Sequence, residues 1–166
     1  MELVGAFSVV AHGGSIEENP PARLRALTHE MRQLDIEDPA FLLEAAALGE
    51  ELEAVLATPD VLRETAVEIA QVARQWECSS VVGASSAGDR LAASVVTVDG
   101  ALQLLVQSSK PNRVLVVDTV LVTGFNLRSS AELARSLGAT FVVGCVVTAA
   151  VAQSVDGLDD IIVMER

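Results

Sequence analysis

Hydrophobic positions along the chain change their spacing near residue 79. Between Asn19 and Trp76, apolar residues recur every three or four positions, which is typical of amphipathic helices. From Ser79 onward, short apolar runs alternate with helical patterns, which is typical of parallel strands joined by helices. The sequence therefore predicts an N-terminal helical segment followed by a mostly parallel, twisted sheet of about five strands flanked by helices, which is an α/β fold.

Three helices are predicted before residue 77. They begin at Asn19, at Asp38-Pro39 and at Thr58-Pro59, because a polar cap followed by proline is a common helix start. No strand separates these helices, so they cannot all connect neighbouring strands. We expect the third helix to pack on the sheet, and the first two to form a cap over it or an oligomer contact.

One domain, residues 1–166, is expected from the length of the chain. We divide it into an N-terminal helical cap or oligomer segment, 15–57, and an α/β core, 58–166. Whether a further apolar run, Ala6–Ala11, adds a strand to the main sheet is open. The strands predicted for the core are Ser80–Val82, Leu102–Val106, Val114–Val117, Phe141–Val147 and Ile161–Met164.

The loop Gly83–Gly88 follows the first predicted core strand. It offers the hydroxyl groups of Ser85 and Ser86 and several backbone N–H groups, so it is either a ligand-binding loop or an ordinary glycine-rich turn. The segment after it fits a helix, Asp89–Val96, with one apolar face, whereas Asp99-Gly100 is also a hairpin signal. We favour the helix, which completes a strand–helix–strand unit.

The most informative stretch runs from Arg113 to Leu127. Val114–Val117 form an unbroken apolar run, as expected of a strand covered on both faces. The run stops at Asp118, so we expect a carboxylate at the carboxyl end of a buried strand, where ligands gather in open α/β sheets. A helix is predicted after the next loop, with Asn126 as its N-cap, and the loop and helix start form a site for an anion such as phosphate.

These residues resemble the diphosphoribosyl-binding signature of the type I phosphoribosyltransferases, and the layout is most similar to the orotate-type branch. The signature has four apolar residues, two acids, a short spacer and a phosphate loop rich in threonine and glycine. Val114–Val117 match the apolar run and Asp118 matches the first acid. Thr123, Gly124 and Asn126 match the phosphate loop.

The resemblance implies a ligand and its binding residues. In the family, the acid pair holds the ribose hydroxyls of phosphoribosyl pyrophosphate and the loop holds its 5′-phosphate. A sugar phosphate or nucleotide, namely phosphoribosyl pyrophosphate or a nucleoside monophosphate, is therefore the expected small-molecule partner. A homodimer is expected, with Mg²⁺ if transfer occurs and with Asp118 as the catalytic candidate. The binding residues that the resemblance implies are Asp118, Thr119, Val122, Thr123, Gly124, Phe125, Asn126, Ala84, Ser85, Ser86, Ala87 and Gly88.

Catalytic transfer has less support than binding. Thr119 stands where the second acid belongs, Val122 replaces a loop hydroxyl and Phe125 replaces a small residue. The connection from Val106 to Val114 is also too short for a mobile lid. Three hypotheses stay open: a binding or regulatory protein, an active phosphoribosyltransferase of the orotate or purine type, and an oligomerisation module with an idle pocket.

Composition narrows the partners further. A net charge of −12 disfavours nucleic acid and anionic membranes, and a hydrophobic fraction of 51% argues against disorder. Cys78 and Cys145 have no metal-ligand spacing with His12 or His29, so no metal is assigned. The apolar run Leu3–Ala11 is unlike a secretory signal, so we expect a cytoplasmic protein with reduced thiols. Among the basic residues, Lys110 is predicted at the ligand edge of the sheet, where it could neutralise a phosphate.

Overall fold

A computed structural model of the protein describes residues 19–151 and 154–164. It confirms a five-stranded parallel sheet flanked by helices. The predicted strand Ala6–Ala11 lies outside the described residues. The helices and strands are, in chain order, α1 (Pro20–Arg32), α2 (Phe41–Leu56), α3 (Pro59–Gln75), β1 (Ser80–Gly83), α4 (Ser86–Val98), β2 (Gln103–Leu104), β3 (Arg113–Leu121), α5 (Phe125–Ser136), β4 (Phe141–Ala149) and β5 (Asp160–Val163).

The strand order of the sheet is β2-β1-β3-β4-β5. After β1 the chain forms β2 on one side of it, and then returns to form β3 on the other side. The order therefore reverses between β1 and β3. In open parallel sheets, ligands bind beyond the carboxyl ends of the two strands that flank such a reversal.

Helices cover both faces of the sheet. On one face, side chains from α1 to α4 form a buried layer with sheet residues such as Leu115 and Val143. On the other face, α5 packs on residues such as Val114 and Val142. Every residue of the run Val114–Val117 is fully buried, which confirms the prediction of a strand covered on both faces.

The N-terminal helices share the buried layer on one face of the sheet. α1 packs on β4 and α2 on β3, whereas α3 packs chiefly on α4. The buried residues of α3, such as Ile69 and Ala73, belong to the same core as Leu115 of the sheet. Helix α2 begins later than the predicted Asp38-Pro39. The Asp38 carboxylate accepts the Ala40 N–H at 2.7 Å in a turn, and the helix starts at Phe41.

The region after β1 confirms the helix and not the hairpin. Helix α4 spans Ser86–Val98, which is longer than the predicted Asp89–Val96. The strand predicted for Leu102–Val106 is shorter in the structure, Gln103–Leu104. It is short because it lies at the edge of the sheet and pairs only with the beginning of β1.

Candidate functional site

Asp118 lies inside β3 and not at its end. The prediction that the strand stops there is wrong, because β4 runs beside β3 and pairs with it as far as Leu121. On the other side, β1 ends at Gly83, which pairs with Val117. The Ala84 N–H then donates to the Val117 carbonyl at 2.9 Å. Asp118 is thus the first residue of β3 beyond the end of β1, at the reversal of strand order.

The loop after β1 is tied to Asp118 by the side chain of Ser85. Ser85 is the N-cap of α4, and its Oγ accepts the Gly88 N–H at 3.1 Å. The same hydroxyl donates to Asp118 Oδ1 at 2.5 Å. Of the other predicted loop residues, Ser86 is exposed and Ala87 is buried. The structure therefore brings the loop after β1 to Asp118 of β3, 33 residues later in the sequence.

Two glycines allow the first turn of α4 to rest on the sheet. A Cβ on Gly88 would lie 2.5 Å from the Val117 carbonyl oxygen. A Cβ on Gly83 would lie 2.2 Å from the backbone nitrogen of Asp89. Both distances are far inside van der Waals contact with backbone atoms. These glycines are therefore required for packing, whatever the loop binds.

The start of α5 has no side-chain cap among the described residues. The helix begins at Phe125, and Gly124 occupies the cap position with φ of 75°, a backbone conformation that favours glycine. The prediction of Asn126 as N-cap is wrong, because Asn126 is already the second residue of the helix. The Thr123 hydroxyl accepts only a long bond, 3.4 Å, from the Phe125 N–H. The first turn also contains no acidic residue. Its N–H groups are thus open to an anion.

A cavity of about 140 Å³ lies at this helix start. This volume is several times the roughly 30 Å³ that one water molecule occupies in the liquid. The Phe125 side chain is 68% exposed, so its ring extends toward solvent and does not fill the cavity. The lining residues are Asp118, Val120, Leu121, Val122, Thr123, Gly124, Phe125, Asn126 and Leu127.

One oxygen of the Asp118 carboxylate accepts no hydrogen bond from residues 19–151 and 154–164. The residue is only 5% exposed. Its Oδ1 accepts from the Ser85 hydroxyl and from the Thr119 N–H at 2.8 Å, whereas Oδ2 accepts no hydrogen bond from the described residues. Burial raises the pKa of Asp118, these two hydrogen bonds lower it, and the nearby charges of Glu53 and Asp89 raise it again; the net direction is upward. A buried acceptor without a partner is unfavourable, and a ligand donor would satisfy it.

Thr119 contacts a residue that the sequence did not indicate. Its Oγ1 donates to Glu53 Oε1 of α2 at 3.5 Å. Both residues line a second cavity, of about 80 Å³, together with Ala87 and Arg90 of α4. Glu53 lies 66 residues before Thr119. Since no local motif surrounds Glu53, only the packing of α2 on β3 could reveal it.

The basic residues are distributed unevenly around the sheet. Arg113 begins β3, and its guanidinium lies 4.1 Å from the centre of the Phe141 ring, at the amino edge. Lys110 lies in the connection between β2 and β3, three residues before Arg113, and its predicted role at the ligand edge stays a prediction. Arg128 lies one turn into α5 and forms a loose ion pair with Asp156, at 3.9 Å. Arg128 belongs to the helix whose first turn borders the cavity.

No group of three or more His, Cys, Asp or Glu side chains in the described part of the chain could hold a metal ion. Cys78 and Cys145 are free and buried, and burial raises their pKa to about 11 and about 12, respectively. Both are protonated thiols at neutral pH. Within residues 19–151 and 154–164, no helix has the length and apolar character needed to cross a bilayer.

Comparisons with known proteins identify similar folds. No protein-family model matches the chain, and no curated protein sequence does. Among solved structures, it is similar to a purine phosphoribosyltransferase from Pyrococcus horikoshii Ot3 (TM-score 0.48, 16% identity, 64% of this chain and 83% of that one). An orotate phosphoribosyltransferase from Aeropyrum pernix gives a TM-score of 0.45 and 27% identity over 57% of this chain and 59% of that one.

A phosphoribosyltransferase from Corynebacterium diphtheriae is similar in the same way, with a TM-score of 0.45 and 19% identity over 76% of this chain and 82% of that one. The fold itself, a five-stranded parallel sheet with helices on both faces, is the α/β class that the sequence predicted. Because the similarity is limited, any function has to be argued from the residues of the site.

Proposed function

We propose that the protein binds the ribose 5-phosphate part of phosphoribosyl pyrophosphate or of a nucleoside monophosphate through the segment from Asp118 to Asn126. The observation that carries the proposal is the uncapped start of α5, which opens onto a cavity that Asp118 also lines. A phosphate in this cavity would accept hydrogen bonds from the first-turn N–H groups. The unused Oδ2 of Asp118 would accept a ribose hydroxyl.

The distribution of charge supports this orientation of the ligand. The first turn of α5 contains no acid, and the helix dipole favours an anion there. Around Asp118, the charges of Glu53 and Asp89 raise its pKa, so this part of the site disfavours a further anionic group, whereas a carboxylate there can accept neutral hydroxyls. The phosphate therefore belongs at α5 and the sugar beside Asp118. Backbone N–H groups can hold the phosphate despite the net charge of −12.

We propose binding without transfer. The pyrophosphate leaving group would lie near the start of α4, where Ser85 already caps the helix and Asp89 adds a negative charge to the first turn. Thr119 supplies no second acid, and only residues 105–112 connect β2 to β3. Phosphoribosyl transfer needs stabilisation of charge and exclusion of water, and these three features weaken both.

Three broader expectations belong to the same proposal. Residues 15–57 form a cap on the α/β core, 58–166, with α2 packed on β3 in support. The protein forms a homodimer, which sedimentation would measure. It resides in the cytoplasm, which cell fractionation would measure.

Calorimetric titration of the full chain tests the proposal. Phosphoribosyl pyrophosphate, ribose 5-phosphate and nucleoside monophosphates are the titrants, with orotate and purine bases added separately to detect turnover. Asn126→Asp places a carboxylate in the first turn of α5 and should abolish binding, whereas Asn126→Gln adds no charge at the same position and should retain it. Equal affinities of the two variants would refute the α5 site. Turnover would support the active enzyme instead, and no heat with any ligand would support the oligomerisation module.

A further inference from the structure

A groove of about 680 Å³ lies between α3 and α4, and a volume of this size is typical of binding clefts. The Val67 side chain is 41% exposed, so part of the apolar lining of the groove meets solvent. Most of the lining residues are apolar, and they come from both helices and from the end of α2: Ala57, Pro59, Leu62, Arg63, Val67, Ser94, Thr97 and Val98.

Three acids follow one side of this groove. Asp60, Glu64 and Glu68 are four residues apart along α3, and this spacing places them on one side of the helix. They border a neighbouring depression together with Arg63 and Val67, which also line the groove. These three acids therefore form an acidic ridge beside an apolar groove.

The fold does not require this ridge. No ion pair within residues 19–151 and 154–164 involves Asp60, Arg63 or Glu64. Asp60 lies in the first turn of α3, where an acid stabilises the helix, whereas Glu64 lies a turn further along and gains little from the helix start. Exposed acids on a helix commonly form a solvated face. The acidic ridge differs from such a face because it borders an uncovered apolar groove.

Charge decides which occupant fits the groove. A second copy of the chain would bring a net charge of −12 and another acidic ridge, and like charges repel each other. An anionic small molecule would meet the same repulsion. An amphipathic helix fills such a groove with apolar side chains three or four residues apart. Lysine or arginine residues beside that apolar stripe would pair with the acidic ridge.

We infer that the groove between α3 and α4 binds a basic amphipathic helix of a partner protein. Apolar side chains of that helix contact Leu62 and Val67, and its cations pair with the acidic ridge. Residues 59–68 of α3 extend over about 14 Å, so the groove accommodates two to three turns of the partner helix. The surface contains no residue of the segment from Asp118 to Asn126, so the inference does not depend on the proposed function.

Fluorescence anisotropy with two synthetic peptides and the full chain tests the inference. Both peptides carry the same stripe of leucine residues and are about 18 residues long, which suffices for a helix in isolation. One has lysine at its polar positions and the other has glutamate. The chain should bind the lysine peptide at least tenfold more tightly than the glutamate peptide. The affinity for the lysine peptide should fall as the salt concentration rises.

Matched variants on two helices locate the binding surface. Val67→Ser should weaken binding of the lysine peptide about tenfold, because it removes an apolar contact. Leu133→Ser removes a side chain that is similarly exposed, at 43%, from α5 on the other face of the sheet, and should leave the affinity unchanged. Glu64→Lys should also weaken binding about tenfold, whereas Glu132→Lys makes the same change of net charge on α5 and should have a much smaller effect.

Several outcomes would overturn the inference. Equal losses in Glu64→Lys and Glu132→Lys would mean that net charge alone attracts the peptide. No binding of the lysine peptide, or equal binding of both peptides, would contradict a basic helix as the occupant. Sedimentation of the chain alone provides a further test, because a dimer that Val67→Ser dissociates would assign the groove to a second copy. All four substituted positions are exposed, so circular dichroism should show the parent fold for each variant.

Discussion

Two helix starts meet at the reversal of strand order, and they differ in how their N–H groups are satisfied. At α4, the Ser85 side chain caps the helix, Asp89 lies in the first turn, and Gly88 packs against β3. At α5, Gly124 provides no side-chain cap and no acid follows in the first turn. The first start is closed by its own residues, whereas the second is open toward a cavity.

The difference shows that a glycine-rich turn after a strand is not by itself a binding loop. At α4, glycine removes a steric clash with the Val117 carbonyl and so serves packing. At α5, glycine permits a φ of 75° and leaves the N–H groups free of a competing side chain. Cap chemistry therefore decides which of two similar turns can hold an anion.

The packing of α4 on β3 gives the largest predicted effect. In Gly88→Ala, the new Cβ would lie 2.5 Å from the Val117 carbonyl oxygen. We expect a loss of about 3 kcal/mol in the free energy of unfolding, although alanine favours a helix over glycine by about 1 kcal/mol. Denaturant titration measures this loss in the free energy of unfolding. Gly100→Ala is the control, since its Cβ meets no atom within 4 Å. Equal stabilities of the two variants would contradict the account of α4 as packed tightly on the sheet.

Local patterns in the sequence predicted much of this region. The run Val114–Val117 indicated a buried strand, and the apolar face of the following segments indicated α4 and α5 correctly. Both loops of the candidate site were predicted because each lies between a strand and a helix. Such features depend on neighbouring residues, so the sequence carries them directly.

Features that depend on distant residues were missed. The strand continues past Asp118 because β4 provides pairing partners there, and no residue near Asp118 encodes that. Asn126 looked like a cap because asparagine is a common N-cap residue. The cap position is instead held by Gly124, whose positive φ depends on how the loop joins β3 to α5. Glu53 was missed because it joins the site only through the packing of α2 on β3. Tertiary pairing thus decided the details of the site, whereas local periodicity decided its location.

Removal of the cap on α4 should have an intermediate effect. Ser85→Ala loses the bond from the Gly88 N–H and the bond to Asp118 Oδ1. We expect a loss of about 1.5 kcal/mol in the free energy of unfolding. The pKa of Asp118 should rise further, because the Ser85 hydrogen bond lowers it. Ser86→Ala, at the exposed neighbouring hydroxyl, serves as the control in urea unfolding. If both variants lose the same stability, the start of α4 is not closed by Ser85.

The smallest predicted change is a gain of stability in Asp118→Asn. The asparagine Oδ1 can still accept from Ser85 and from the Thr119 N–H, and the side chain no longer ionises. Because folding raises the pKa of Asp118, the folded protein binds more protons than the unfolded chain between the two pKa values. The charge of Asp118 therefore lowers stability as the pH rises through that range. We expect the variant to be more stable by about 1 kcal/mol at neutral pH.

Thermal unfolding as a function of pH tests whether the charge of Asp118 serves a ligand at α5 or the stability of the start of α4. The gain should vanish below the pKa of an unfolded aspartate, about 3.9, where both proteins are uncharged at this position. Glu64→Gln, at an exposed carboxylate of α3, should show no such dependence. Ligand affinity should fall about tenfold in Asp118→Asn, since the amide that replaces Oδ2 donates instead of accepting. A loss of stability at neutral pH would mean that the charge serves the closed start of α4 through Ser85, and not a ligand at α5.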